Sequence, residues 1–574
     1  MGREHAAEHA RERAAQADEM RRWKRLSPSD QRQTAKQDRR EAEQFAELTE
    51  STGTPSEVGS WTHAPFQIPH AAVNAAVLPT GKVMFWGTAF PNEPRNRGNA
   101  ALWDPSKGYG SIAFTEVPPP RIDPDGPGPQ GTDTAPLVCS GLSMLASGEV
   151  LVTGGNVVWP DQYSDDPYTD FAGLNRVFTF NPWTRGWTEQ PRMHAGRWYP
   201  GQVELSDGRT VVLGGFTHQA PGGIFNRDLE VFTPAQQPGG VGSLTLKASA
   251  QRKTSLYPHL FTLPDSSVLL AGPGRYDSAA LRTASFTWVE FPRLSRERVG
   301  GNAVLDPGPP WGSWQVTEIG GYDWNVKGAQ GSRPATASTT TLHVQHPWTT
   351  GGWKSGPSLN VPRSFQNTVL LPNRSMVTVG GGTGFTLADG NYAVDPNGRQ
   401  RQVELYSPVT KKWRLGPAET EDRGYHSTAL LLPDGRVWSA GDQMHPRGPD
   451  GGWSLTDTAE IYSPPYLFKG PRPTIVSAPT QVRWGDVFEV RVGTRVPATS
   501  AVLVAPGATT HGVDSSQRLV SLKANPYAGG IDLVAPPKPG VAPPGYYMLF
   551  VLHEGVPSVA SWVKLTPGAP DAPP

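Results

Sequence analysis

A phenol and an imidazole stand side by side at Tyr425-His426, in the run Asp422-Arg423-Gly424-Tyr425-His426-Ser427. His426 lies fifteen residues before Gly441, and the same spacing recurs at four other chemistry-bearing or aromatic residues. Cys139 stands fifteen before Gly154, Tyr199 before Gly214, Tyr257 before Gly272 and Phe365 before Gly380. A thiol, two phenols (Tyr199, Tyr425) and an imidazole, brought together, could hold a redox metal such as copper, for which imidazole is a good ligand. Phenolate ligands are unusual, and they point to radical chemistry rather than a structural site. A blander reading competes with this one. The same ring could be the aromatic plug of a channel, as Phe365 suggests, and a lone cysteine is usually a small buried hydrophobe.

These residues meet only if their elements place them at one depth. From about residue 60 a unit recurs: a strand, a turn of the Pro-Asp-Gly type, and a second apolar strand ending in glycine. Its second strands end at Gly87, Gly154, Gly214, Gly272, Gly320, Gly380 and Gly441. Seven units spaced about 48 to 67 residues apart come near the ~50 residues of a kelch propeller blade. Seven four-stranded units closing on themselves leave only short exposed edges, and equivalent positions in successive blades then lie around one axis. The expected fold is therefore all-β. A charged helical or disordered segment covers residues 1–55, and a seven-bladed kelch-type propeller covers 56–468. An immunoglobulin-like sandwich follows at 469–568 with a tail at 569–574, because residues 471–567 alternate short strands with Pro/Gly turns.

The chain has 574 residues, more than one core can organise. Lysine plus arginine and aspartate plus glutamate balance at 52 each, which argues against nucleic acid or an anionic membrane as partner. Cys139 is the single cysteine, so no intrachain disulfide or thiolate zinc cluster can form. Residues 1–50 hold 11 basic and 11 acidic side chains and no apolar run of signal-peptide or membrane-span type. They read as a frayed polar helix or, alternatively, a docking helix. No Gly-x-Gly-x-x-Gly loop opens a helix, so no nicotinamide or flavin is expected.

The motifs taken together resemble the copper-radical oxidases, the galactose oxidase and glyoxal oxidase family, over about residues 60 to 567. They are Val138-Cys139-Ser140-Gly141, Arg197-Trp198-Tyr199-Pro200, Arg423-Gly424-Tyr425-His426-Ser427, Thr510-His511-Gly512 with Gln517-Arg518, and the final strands around Tyr546–Val551 and Gly555–Ala560. Arg-Trp-Tyr-Pro, with no N-terminal carbohydrate-binding domain, is more similar to the glyoxal oxidase branch. The resemblance implies a Cys139–Tyr199 thioether made with copper and oxygen. It implies Tyr199 as equatorial ligand and radical carrier, Tyr425 as axial ligand and general base, and His426 and His511 as imidazole ligands. His511 would be carried into the propeller by the early-set C-terminal domain. A small primary alcohol or aldehyde, or a carbohydrate, would be oxidised by dioxygen with release of hydrogen peroxide. A monomer is expected; the resemblance suggests an extracellular or cell-surface location, which the sequence leaves open. One departure stands out: galactose oxidase stacks a tryptophan from just after the diglycine on its cross-linked tyrosine, whereas Gly214-Gly215 here precede Phe216-Thr217-His218. Trp324 or Phe216 could replace it. Arg275 and Tyr276 are candidate substrate contacts. The reading from a different class is a non-catalytic kelch scaffold for a protein or glycan.

Overall fold

The computed structural model describes residues 53–567, apart from segments 88–98, 123–133, 157–172, 218–224, 307–313, 324, 327–332, 346–348, 389–390, 395–399, 442–444, 448–451 and 455. The charged segment expected over residues 1–55 lies outside the described residues up to residue 52, as does the tail at 569–574.

Each repeat places an apolar inner pair of strands behind a tight turn. In the last repeat Thr428–Leu431 and Val437–Ala440 pair antiparallel, with all eight residues buried. The Leu432–Arg436 turn between them closes through Gly435 N to Leu432 O at 2.9 Å, with Gly435 at φ 85°. Strands buried on both faces need near-continuous apolar runs rather than alternation. Val150–Thr153 and Thr210–Leu213 show the same pattern. Outer strands such as Gly186–Gln190 are half-exposed. Neighbouring blades are glued by shared apolar clusters. Val203, Val211, Leu213 and Val231 of the third blade, for example, pack with Leu260, Val268 and Leu270 of the fourth.

Seven four-stranded antiparallel blades result, with inner strands beginning at Asn74, Gly141, Gly201, Leu260, Asn302, Asn367 and Thr428. Blade 7 takes its outermost strand from the start of the described chain: Ser60–Gln67 pairs with Thr458–Ser463. That exchange ties the two ends of the propeller together and removes the open edge a linear array would leave. The propeller is followed by an immunoglobulin-like sandwich of two sheets. One contains Ile475–Ser477, Val487–Val492, Gly530–Val534 and Lys523–Tyr527, and the other is built around Gly545–His553. Its core includes Val490, Leu503, Ile531, Leu533, Leu549 and Val563.

The sandwich sends one hairpin into the propeller. Ala508–Thr510 pairs antiparallel with Asn74–Val77, the inner strand of blade 1, in the register Asn74 to Thr510. Asp514 organises the hairpin by accepting from the backbone N–H groups of Ala508, Ser516 and Gln517 at 3.0, 3.0 and 2.8 Å. Burial pushes its carboxyl up, and these three donors pull it back. Gln517 then bonds blade 6 through Leu370 N and Thr368 O, both at 3.0 Å. Arg518 donates to Thr262 O of blade 4 and to Val541 O. The Gln-Arg pair downstream of His511 is thus the lock that holds the hairpin between blades.

Candidate metal centre

The spacing of fifteen residues marks a real structural position. Cys139, Tyr199, Tyr257, Phe365 and His426 all have left-handed backbone, with φ of 63°, 62°, 44°, 57° and 67°. Each precedes its blade's inner strand. A non-glycine residue held there costs roughly 1–3 kcal/mol, so the surrounding structure must enforce it. Part of the enforcement is backbone pairing around the axis. Tyr199 N donates to Cys139 O at 3.1 Å, and Tyr257 N to Tyr199 O at 3.0 Å. Blade 5 has Gly300 in this role, at φ 63°, and its carbonyl accepts from the backbone N–H of Phe365. A Cβ on Gly300 would meet the Phe365 ring at 2.9 Å, so that position is left without a side chain.

A second device went unread in the sequence. An arginine stands two or three residues before the turn position in four blades. Arg197, Arg298, Arg363 and Arg423 donate to the carbonyls of Gly214, Gly320, Gly380 and Gly441 at 2.7 to 3.1 Å. Three of them also reach a buried carboxylate, Glu230, Glu404 or Glu460, on the next strand of the same blade. The chain passes close to these glycines: a Cβ on Gly380 would lie 2.3 Å from Arg423 O. The Arg-x-Tyr spacing with a distant glutamate was the available signal.

The side chains converge on the axis. Tyr199 Oη lies in hydrogen-bond contact with Tyr425 Oη, 2.8 Å from His511 Nε2 and 3.4 Å from His426 Nε2. All four residues are buried, with at most 6% exposure. The ligand atoms of Cys139, His426 and His511 lie within 4.8 Å of one another. These donor atoms lie close enough together to serve one metal ion. His511 is oriented for such a role. Thr510 Oγ1 gives its one hydrogen to Val73 O at 2.9 Å and lies 2.6 Å from His511 Nδ1. It therefore accepts from Nδ1–H, which leaves the lone pair on Nε2, facing Tyr199. Two imidazoles and two phenols with a fixed tautomer suit a copper ion.

Aromatic rings enclose Tyr199. Trp198 stacks on it at 4.0 Å and 15°, and Tyr257 at 4.4 Å and 28°. Phe216 stacks on Trp198 at 5.5 Å and 14°. Of the two stacking candidates, Phe216 is thus part of the stack with Trp198 between it and Tyr199, and Trp324 lies outside the described residues. The ring nearest in sequence, Trp198, is not foreseen by strand alternation, since adjacent side chains in a regular strand point to opposite faces and the left-handed turn at Tyr199 breaks that rule. Burial, and secondarily the neighbouring Cys139 thiol, push the Tyr257 phenol well above its usual range, so it stays a donor. Beside the centre lies a small cavity of about 40 Å³ lined by Tyr199, Tyr425, His511, Tyr257, Phe365 and the Gly300–Gly301 backbone, among others. Its described lining carries no lysine, arginine, aspartate or glutamate. Arg275 and Tyr276 are not part of that lining. They sit exposed on the Gly274–Asp277 turn, where Tyr276 contacts Arg252 and Arg293.

The family and the relatives of the chain are consistent with its fold. Residues 132–466 match the family model "Glyoxal oxidase N-terminus", and residues 472–565 match "Galactose oxidase-like, Early set domain". The chain is 27% identical to a galactose oxidase of Gibberella zeae, over 89% of this chain and 71% of that protein. It is 28% identical to aldehyde oxidase GLOX of Vitis pseudoreticulata, over 75% of this chain and 82% of that one. A solved fungal alcohol oxidase of the AA5 family, in complex with copper, shares the fold with a TM-score of 0.69 and 23% identity, covering 89% of this chain and all of the other. With its propeller repeats, its early-set sandwich and its phenol-imidazole centre, the chain belongs to the glyoxal oxidase and galactose oxidase family of copper-radical oxidases.

Proposed function

We propose that this protein oxidises a small primary alcohol or aldehyde with dioxygen, yielding the aldehyde or acid and hydrogen peroxide. The observation that carries the reading is the convergence of Tyr199, Tyr425, His426 and His511 on one buried point beside a cavity whose described lining has no lysine, arginine, aspartate or glutamate. Tyr199, Tyr425, His426 and His511 would hold copper, which supplies a Lewis acid and a one-electron redox partner. Tyr425 Oη takes the substrate hydroxyl proton, being within hydrogen-bond reach of the same point. Tyr199, linked through its ring to Cys139 and oxidised by one electron, takes the hydrogen from the adjacent carbon. The propeller and the His511 hairpin keep the four groups in place before substrate arrives. A cavity with aromatic walls and no described charged side chain favours a small neutral substrate over a charged one.

The test is a hydrogen peroxide assay on copper-loaded protein across short alcohols, aldehydes and sugars. Peroxide release that depends on copper and dioxygen, with small alcohols or aldehydes turned over faster than sugars, is the expected result. Fully copper-loaded protein that releases no peroxide with any of them would overturn the reading.

A further inference from the structure

Tyr257 makes three separate contacts with the turns that carry Cys139 and Tyr199. Its backbone N–H donates to Tyr199 O at 3.0 Å, its ring lies on the Tyr199 ring at 4.4 Å, and its hydroxyl donates to Ser140 O at 3.1 Å. Ser140 directly follows Cys139, in a turn closed by Ser140 N to Leu137 O at 3.3 Å. The hydroxyl therefore anchors the end of the turn that presents the sulfur, and the ring sets the plane of the phenol that would receive it. Tyr257, Ser140, Cys139 and Tyr199 are all buried. Filling space does not require that hydroxyl. Phe365 occupies the equivalent position in blade 6, also buried and left-handed, with a plain ring.

We infer that Tyr257 is the positioning residue for thioether formation, holding the Cys139 turn against the Tyr199 ring in the register in which sulfur and ring carbon can join. The inference rests on the thioether of the proposed function. In that step the S–H bond of Cys139 and a ring C–H bond of Tyr199 break and one C–S bond forms. Two electrons and two protons leave. Dioxygen, with copper as mediator, accepts both and becomes hydrogen peroxide. Tyr257 is neither oxidised nor reduced in that step, so its role is geometric, and geometry is what a step between two side chains on different blades depends on.

The experiment uses full-length protein purified without copper. Parent, Tyr257→Phe and Tyr462→Phe are compared. Tyr462 is a buried tyrosine in blade 7 whose hydroxyl likewise bonds a backbone carbonyl, that of Val58. Each protein is passed through size exclusion so that only the folded fraction is followed, its copper uptake is measured by titration, and copper is then added in air. The loss of two hydrogens from the joined Cys139 and Tyr199 peptides is followed by mass spectrometry over time. The expected result is full copper uptake by all three, parent-like joining in Tyr462→Phe, and joining slowed about tenfold or more in Tyr257→Phe. Joining by Tyr257→Phe at the parent rate would overturn the positioning role, as would equal slowing in both variants, which would reduce the effect to general loss of stability. If the parent itself never joins the two peptides, the thioether in the proposed function fails and this inference with it. That outcome is distinct from a parent that joins them and a Tyr257→Phe that keeps pace.

Discussion

Nε2 of His511 lies 2.8 Å from the phenol oxygen of Tyr199, across 312 residues of chain and from a different domain. The contact exists because a hairpin of the sandwich runs as an extra strand along blade 1 and is pinned to blades 4 and 6 by Arg518 and Gln517. A centre completed in this way should be sensitive to residues that never approach the metal.

Asp514 is such a residue. Asp514→Ala removes the acceptor for three backbone N–H groups of the hairpin. Copper affinity is expected to fall by about 10- to 100-fold, the usual cost of losing a group that orients a ligand. Isothermal titration with copper, alongside the melting temperature, checks this. Parent-like affinity would mean that the hairpin holds its shape without Asp514.

The two imidazoles should behave unlike Thr510. His426→Ala and His511→Ala are expected to abolish stoichiometric copper uptake near neutral pH. Thr510→Val, which takes away the acceptor for His511 Nδ1–H, should keep one copper per chain with affinity lowered about tenfold. Copper content after dialysis against a graded series of chelator concentrations separates the two behaviours.

Cys139→Ser separates a core filler from a cofactor. As a filler, the change would cost about 1 kcal/mol and leave the chemistry alone. With the thioether, the variant still folds and takes up copper but loses the radical signal and most of its turnover. Circular dichroism, copper content and electron paramagnetic resonance on the same preparation read all three.

Glu204 gives a pH prediction. Burial pushes its carboxyl well above the usual 4.5, against the pull of Arg518. The folded state thus binds this proton more tightly than the unfolded chain. The stabilising contribution is complete below the unfolded value and is lost as pH rises through the folded one. Glu204→Gln should therefore melt higher than the parent above that range, and its melting temperature should vary less with pH. Calorimetry from about pH 4 to about pH 9 checks the sign.

Much of this was legible in the chain. Local patterns determined the seven strand-turn-strand units, because a two-sided buried strand must be an apolar run and a tight turn favours glycine, although Ser266 and Arg374 hold the same left-handed position in blades 4 and 6. The constant spacing of fifteen residues picked out Cys139, Tyr199, Tyr257, Phe365 and His426, because a repeated blade places a repeated residue at a repeated depth. Other features depended on contacts that no local pattern records. The strand Ser60–Gln67 belongs to blade 7 and not to the blade that follows it in sequence, since ring closure is a property of the whole array. Trp198 faces the same way as its neighbour Tyr199 because the backbone turns left-handed between them, a conformation that side-chain alternation does not foresee. His511 could be named from its Thr-His-Gly setting, but only the packed hairpin decides where its Nε2 points. The identities of the ligands are carried by residue type and spacing, whereas their convergence is a long-range event, set by strand pairing and burial between segments hundreds of residues apart.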